Sequence, residues 1–146
     1  TMEVLNTSRI GIAAQCVGLA QAAYEASVQY ARQREAFGKR LADFQGIQWA
    51  IADMATNIEA ARMLVYRAAT LRDHGMPFVT EASMAKLFAS RVAVEAADRA
   101  VQIHGGVGYF APTLVERLYR DAKVTEIYEG TSEVQRMIIS RNIFDS

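Results

Sequence analysis

The residue best placed to do chemistry is Glu129. In the segment Ile127-Tyr128-Glu129-Gly130-Thr131-Ser132-Glu133 a carboxylate stands between a tyrosine and a glycine, just before a helix start. Backbone N–H groups at a helix N-terminus favour anions, and a glycine lets a substrate or cofactor come close to the main chain. A carboxylate in that place serves either as a general base or as an acidic residue stabilising the helix dipole. A second cluster, Arg32, Arg34, Lys39 and Arg40, flanks Phe37-Gly38 and is opposed only by Glu35. Arginine forks beside a glycine turn can grip a phosphate, and a solvated helix end carries the same charges. Gly105-Gly106-Val107-Gly108 has the glycines of a phosphate loop without its G-x-G-x-x-G spacing or preceding strand. It reads as a helix C-terminus whose backbone lies close to another helix or to a flat ligand.

Other chemistries find no support. His74 and His104 are too far apart in sequence for a helical ligand pair, and neither has a carboxylate three residues away. The sequence therefore implies no metal site. There is no G-x-S-x-G elbow for hydrolysis. Cys16, the only cysteine, falls on an apolar stripe and reads as a small core residue.

The elements that must position Glu129 and the arginines are helical. The 146 residues include 25 alanines and only two prolines, a composition that favours helix and argues against an all-β domain. Sixteen basic and sixteen acidic side chains cancel, which disfavours nucleic acid as a partner. No apolar run approaches the ~20 residues of a membrane span, and the first residues carry no targeting signal.

Ile12, Cys16, Leu19, Ala23, Ala26 and Tyr30 recur at helical spacing and predict a first helix over 7–35, stopped by Gly38. Asp43 is the expected N-cap of a second, over 44–73, with the stripe Ile47, Ile51, Met54, Ile58, Ala61, Val65 and Ala68. Gly75 and Pro77 end it. A third, over 78–103, carries Ala85, Ala89, Val92, Ala96, Ala100 and Ile103, small enough to let a neighbour approach closely. A short helix over 113–123 and a last one over 132–142 follow, the last opened by a Ser132/Gln135 capping box. Long helices joined by short loops pack antiparallel. The expected fold is all-α, a four-helix-type up-down bundle with one short extra helix, in a single domain spanning 1–146.

Taken together, these segments resemble the C-terminal helical domain of the acyl-CoA dehydrogenase family of flavoproteins. The matching stretches are Arg9-Ile10-Gly11-Ile12-Ala13-Ala14, Arg34-Glu35-Ala36-Phe37-Gly38, Gln102-Ile103-His104-Gly105-Gly106-Val107-Gly108-Tyr109, Arg120-Asp121-Ala122-Lys123 and Ile127-Tyr128-Glu129-Gly130-Thr131-Ser132. Each is weak alone; in unbroken order they are specific. The resemblance implies that an N-terminal helical domain and a middle β-domain are absent from this chain, and that FAD lies between the middle domain and the bundle.

By the same resemblance, Arg34 reaches the FAD diphosphate of a neighbouring subunit, with Glu35 and Ala36 beside it. Phe44 and Gln45 line the adenosine side. Gln102, Ile103, His104, Gly105 and Gly106 form a loop against the cofactor, and Thr131, Ser132 and Glu133 touch it after the catalytic acid. Asn6 and Arg9 match positions near the CoA adenine, and Tyr128 and Gly130 flank the base on the substrate side. Glu129 matches the catalytic base of short- and medium-chain members. Other members carry the base just before the arginine matched by Arg9, where this chain has Ser8. Leu114 replaces the family's usual proline, with Pro112 two residues earlier.

The implied activity is FAD-dependent α,β-dehydrogenation of short-chain or branched-chain acyl-CoA thioesters. Glu129 takes the α-proton, a hydride leaves the β-carbon for flavin N5, and electrons pass to an electron-transfer flavoprotein. A homodimer or homotetramer in the bacterial cytoplasm or mitochondrial matrix is the implied setting, with Leu64, Leu71, Leu87, Val94 and Val101 as the apolar face that copies cover. An acyl-CoA oxidase, or a non-catalytic helical assembly module, shares the fold and stays open as an alternative.

Overall fold

The computed structural model describes residues 2–145, with side chains from residue 4 onward. Among the described residues the chain forms six α-helices and a two-stranded hairpin. The long helices are α1 (Met2–Gln33), α2 (Gln45–Asp73) and α3 (Val79–His104). A single turn α4 (Gly106–Tyr109), then α5 (Leu114–Val124) and α6 (Ser132–Phe144), complete the chain. The family fold expected from the sequence is the one observed, an almost entirely helical bundle. Its fourth place is shared, α5 lying against α1 and α3, and α6 against α3.

Helix α3 is the axis of the molecule. Its residues Ala82, Ser83, Ala85, Ala89, Ser90, Ala93, Ala96, Ala97 and Ala100 are buried on more than one face, as a helix enclosed by neighbours requires. Small residues also decide how α1 meets it. The apolar stripe expected on α1 is rotated: Ala13, Cys16, Ala20, Ala23, Ser27 and Ala31 are fully buried, while Ile12, Leu19, Ala26 and Tyr30 only flank the seam. Alanine-to-alanine contact allows the shortest interaxial distances, roughly 8 Å, so the bulkier side chains are displaced to the edges. The α2 stripe holds from Met54 to Ala68, and its first turns at Ile47 and Ile51 are half-buried.

The ends of the helices fix the direction of the chain. The Tyr30 ring stacks on His104 with centroids 4.2 Å apart, so α1 and α3 run parallel, with their C-termini together. α2 runs antiparallel to both, as the short connections predict.

Three local expectations need correction. Helix α1 begins by Met2 and ends at Gln33; Gly38 does not stop it. Glu35–Ala36 (β1) pairs antiparallel with Lys39–Arg40 (β2), and Phe37 and Gly38 form the turn with φ of 54° and 80°. Two positive φ values match the right-handed twist of a tight hairpin. Asp43 is not the cap of α2. It ends a 3-10 turn (Leu41–Asp43), binds Arg40 at 3.3 Å, and leaves Phe44 at the cap position. The last helix is capped one residue earlier than expected, by Thr131, whose Oγ1 accepts from the Val134 N–H at 3.5 Å. Gln135 is thereby released from a capping box for a different contact.

Candidate functional site

Glu129 lies in the connection between α5 and α6, where three backbone features force a tight reversal. The Glu126 carbonyl accepts from the Ser132 N–H at 3.1 Å, Glu129 has a φ of 54°, and Gly130 a φ of 92°. A non-glycine residue in the left-handed region costs about 1–2 kcal/mol. Such strain persists only where surrounding contacts over-determine it.

Those contacts come from three helices. Lys86 Nζ on α3 donates to the Gly130 carbonyl at 2.8 Å. Gln135 Nε2 on α6 donates to the same oxygen at 2.8 Å and to the Glu129 carbonyl at 3.3 Å. Arg9 Nε on α1 reaches the Glu129 carbonyl at 3.5 Å, and Arg9 Nη1 donates to Asn6 Oδ1 at 2.7 Å. Lys86 and Gln135 are fully buried, and Asn6 and Arg9 nearly so. Burial drives the Lys86 ammonium below its ordinary pKa, partly offset by the nearby Cys16, Glu126 and Glu129.

The Glu129 side chain itself is half-buried. Ser8 Oγ donates to its Oε2 at 2.7 Å. Tyr128, the preceding residue, donates from its hydroxyl to Gln15 Oε1 at 2.8 Å, and burial raises its phenol above the ordinary value. Thr131, Ser132 and Glu133 face a groove of about 640 Å³ lined also by Leu64, Leu87, Lys123 and Arg136.

The remaining candidate residues collect at the other end. From Arg9 to Gln33 α1 advances about 36 Å at 1.5 Å per residue. Beyond it lies the hairpin with Arg34, Glu35 and Ala36, followed by Phe44 and Gln45. The C-terminus of α3, with Gln102, Ile103, His104, Gly105 and Gly106, meets the last turns of α1, just before that hairpin, through the Tyr30–His104 stack. Within this group Arg34 and Gln102 are exposed, Ile103 is buried and His104 half-buried. His104 Nδ1 lies 2.8 Å from the Ala100 carbonyl. Phe37 is 96% exposed at the hairpin tip. The candidate residues therefore form two groups, at opposite ends of the bundle, and one chain does not bring Arg34 and Glu129 together.

Lys86 and Gln135 escaped the sequence reading. A signal for Lys86 existed: it sits among Ala82, Ser83, Ala89 and Ser90, with no acid at helical pairing distance on an otherwise apolar face. Gln135 carried none, because its capping-box spacing offered a sufficient local reason. The half-buried Leu64, Leu71, Leu87, Val94 and Val101 are less open than a bare docking face, and Leu64, Val94 and Val101 pack against the core. The exposed large apolar side chains of α2 are Trp49, Met63 and Tyr66. Among the described residues no group of three His, Cys, Asp or Glu side chains could hold a metal ion, and no helix is long and apolar enough to cross a membrane.

The description "Acyl-CoA dehydrogenase, C-terminal domain" fits residues 1–144, and the chain belongs to that family. An acyl-CoA dehydrogenase of Bacillus subtilis is 60% identical over 140 residues, 96% of this chain and 37% of that protein. The caffeyl-CoA reductase-Etf complex subunit CarC of Acetobacterium woodii is 53% identical over 139 residues, covering 95% of this chain and 37% of its own length. Among solved structures, butyryl-CoA dehydrogenase from Megasphaera elsdenii superimposes with a TM-score of 0.97 at 49% identity, over 98% of this chain and 37% of that one. The chain thus spans a little over a third of these relatives.

Proposed function

We propose that this chain is the base-carrying domain of a longer FAD-dependent acyl-CoA dehydrogenase, and that Glu129 removes the α-proton of a short-chain or branched-chain acyl-CoA. The observation that carries the reading is the asymmetry of the Glu129 carboxylate. Ser8 holds Oε2, Oε1 accepts no hydrogen bond among the described residues, and the backbone beneath is tied to three helices. One oxygen is fixed and the other is free to accept a proton. A general base needs that combination of position and an open lone pair.

The residues also suit the cofactor. Arg34 offers an exposed guanidinium, with no ion pair among the described residues, to an anion such as a diphosphate. A Cβ built on Gly105 or Gly106 meets nothing within 4 Å, which leaves the main chain open to a flat ring. When bound, FAD supplies the oxidising equivalent for the β-carbon hydrogen. This chain's part is to orient the acyl group beside Glu129 and to keep that carboxylate ready. Asn6, Arg9, Tyr128 and Gly130 shape the surroundings of the base, and Thr131, Ser132 and Glu133 lead from it into the groove. The separation of about 36 Å along α1 supports a dimer or tetramer in which the hairpin of one copy completes the cofactor site of another, with Trp49, Met63 and Tyr66 available for burial. Electrons then leave through an electron-transfer flavoprotein. A relative named as a reductase at 53% identity supports a second reading, the same site run in reverse, with protonated Glu129 delivering the α-proton.

The test is Glu129→Gln in the full-length flavoprotein. Fold, FAD content and acyl-CoA binding should persist, while anaerobic flavin bleaching slows by ~10²–10⁴-fold. Rapid bleaching would show that another residue takes the proton. Peroxide in place of electron-transfer flavoprotein reduction would place the protein with the oxidases. A full-length protein that purifies without flavin would favour the assembly-module reading.

A further inference from the structure

The backbone of the Glu129 loop is over-determined, yet none of its anchors restrains the glutamate side chain. Lys86, Gln135 and Arg9 all bind carbonyl oxygens of residues 129 and 130. Three side-chain torsions separate the carboxylate from that scaffold, and they stay free unless something holds the carboxylate itself. Among the described residues the single contact to the carboxylate is the Ser8 hydroxyl.

We propose that Ser8 is a positioning residue for the base, tying down Oε2 so that Oε1 is the oxygen presented to the substrate α-proton. This rests on the assignment of Glu129 as the base. The hydroxyl is itself well placed for the task. Ser8 stands on α1, one residue from buried Arg9 and two from buried Asn6, so its Cβ is carried by a rigid element. Its Oγ lies 2.9 Å from the Leu5 carbonyl and 2.7 Å from Glu129 Oε2. One hydroxyl proton faces two acceptors, and the ionised carboxylate wins it, because charge-assisted bonds are roughly twice as strong as neutral ones. Once Oε1 has taken the α-proton that advantage falls, and the hydroxyl can turn to Leu5 by rotation about Cβ–Oγ. The restraint is therefore strongest in the state that must attack and weakest in the state that must be reset. No atom is transferred to or from Ser8 in either state.

The experiment uses the full-length flavoprotein with butyryl-CoA as the probe. Ser8→Ala removes the hydroxyl in a helix that accepts alanine readily, so fold and FAD content should be unchanged. Its bleaching rate should fall by roughly 10–100-fold, the scale of a misplaced reacting group, while KM stays within about two-fold, the split expected when only transition-state geometry is lost. Ser8→Thr, which keeps the hydroxyl, should recover most of the rate. In the Glu129→Gln background Ser8→Ala should have no further effect, since Ser8 acts only through that carboxylate. Wild-type bleaching in Ser8→Ala, or equal losses in the Ala and Thr variants with flavin retained, would overturn the proposal while leaving Glu129 as the base. Undiminished bleaching in Glu129→Gln would instead remove the assignment on which it rests.

Discussion

The two ends of α1 are built on opposite plans. At its start, the Glu129–Gly130 loop is gripped by buried donors from α1, α3 and α6. At its finish, the Arg34–Phe44 segment is open. Phe37 projects into solvent, Arg40 and Asp43 pair on the surface at 3.3 Å, and Lys39 Nζ rests 4.2 Å from the centre of the Phe44 ring. Exposed pairs of this kind contribute little to stability. One end therefore completes its own geometry within the chain. The other is held by surface contacts within its own short segment and leaves its tip open to solvent. Rigidity is placed around the proposed base, and open groups around the proposed cofactor contacts.

Glycines at both ends give the largest test of that contrast. At Gly130 an added Cβ would sit 2.8 Å from Gln135 Nε2 and 3.3 Å from Val134 Cγ1, on top of the left-handed φ. At Gly38 the φ is also positive, but nothing lies within 4 Å. Gly130→Ala should cost about 2–4 kcal/mol by urea denaturation, combining left-handed strain and overpacking, and should displace Gln135 and slow bleaching more than ten-fold. Gly38→Ala should cost only about 1 kcal/mol, the strain alone. Equal costs would mean that the anchored loop is no more crowded than the hairpin.

Arg34→Ala should leave the stability of the flavin-free protein within ~0.5 kcal/mol, as surface changes do. FAD retention in the full-length protein should weaken by roughly 1.5–3 kcal/mol, the worth of a hydrogen bond to a charged group. Titration of apoprotein with FAD measures this. An unchanged dissociation constant would deny the hairpin its receiving role.

The smallest effect concerns Lys86. Burial holds its native pKa below the ordinary 10.5. Between those two values the unfolded chain binds more protons than the folded one, so this group makes stability rise with pH through the window. The penalty is fully present below the native pKa and is relieved as pH approaches 10.5. In Lys86→Met this contribution should vanish, read as the difference between the two proteins' denaturation midpoints across the alkaline range. Identical slopes would show that Lys86 is not held charged in a dry site.

Much of this organisation was legible in the chain itself. The stripes on α2 and α3 follow from a four-three spacing that survives any tertiary context, because side chains three and four apart share a helix face. Gly75 ends α2 with a φ of 65°, as a glycine before Pro77 suggests. Glu129 stood out because its neighbours are unusual in kind, and its helix start is real. The hairpin was not legible: two-residue strands are too short to show alternation, and Gly38 suits a helix stop as well as a turn. The face of α1 was misjudged by a rotation because size, not hydrophobicity, decides which residues meet α3. Leucine and tyrosine outrank alanine on any apolar scale, yet the tightest seam excludes them.

The order of motifs along the chain was enough by itself to indicate the all-α bundle and the family and to single out Glu129 as the candidate base, since each motif is a short run of neighbouring residues and their order needs no contact to be read. Only the tertiary structure divided the candidate cofactor residues between two ends of the molecule. Only it brought Ser8, Lys86 and Gln135 to Glu129 and Gly130, across 121, 44 and 5 positions of chain respectively. The physical reason is that the long-range bonds arise from how parallel α1 and α3 align, and that alignment is set by alanine packing along the whole seam. No local stretch carries that information, and even the short-range Gln135 bond is hidden by an equally good local alternative.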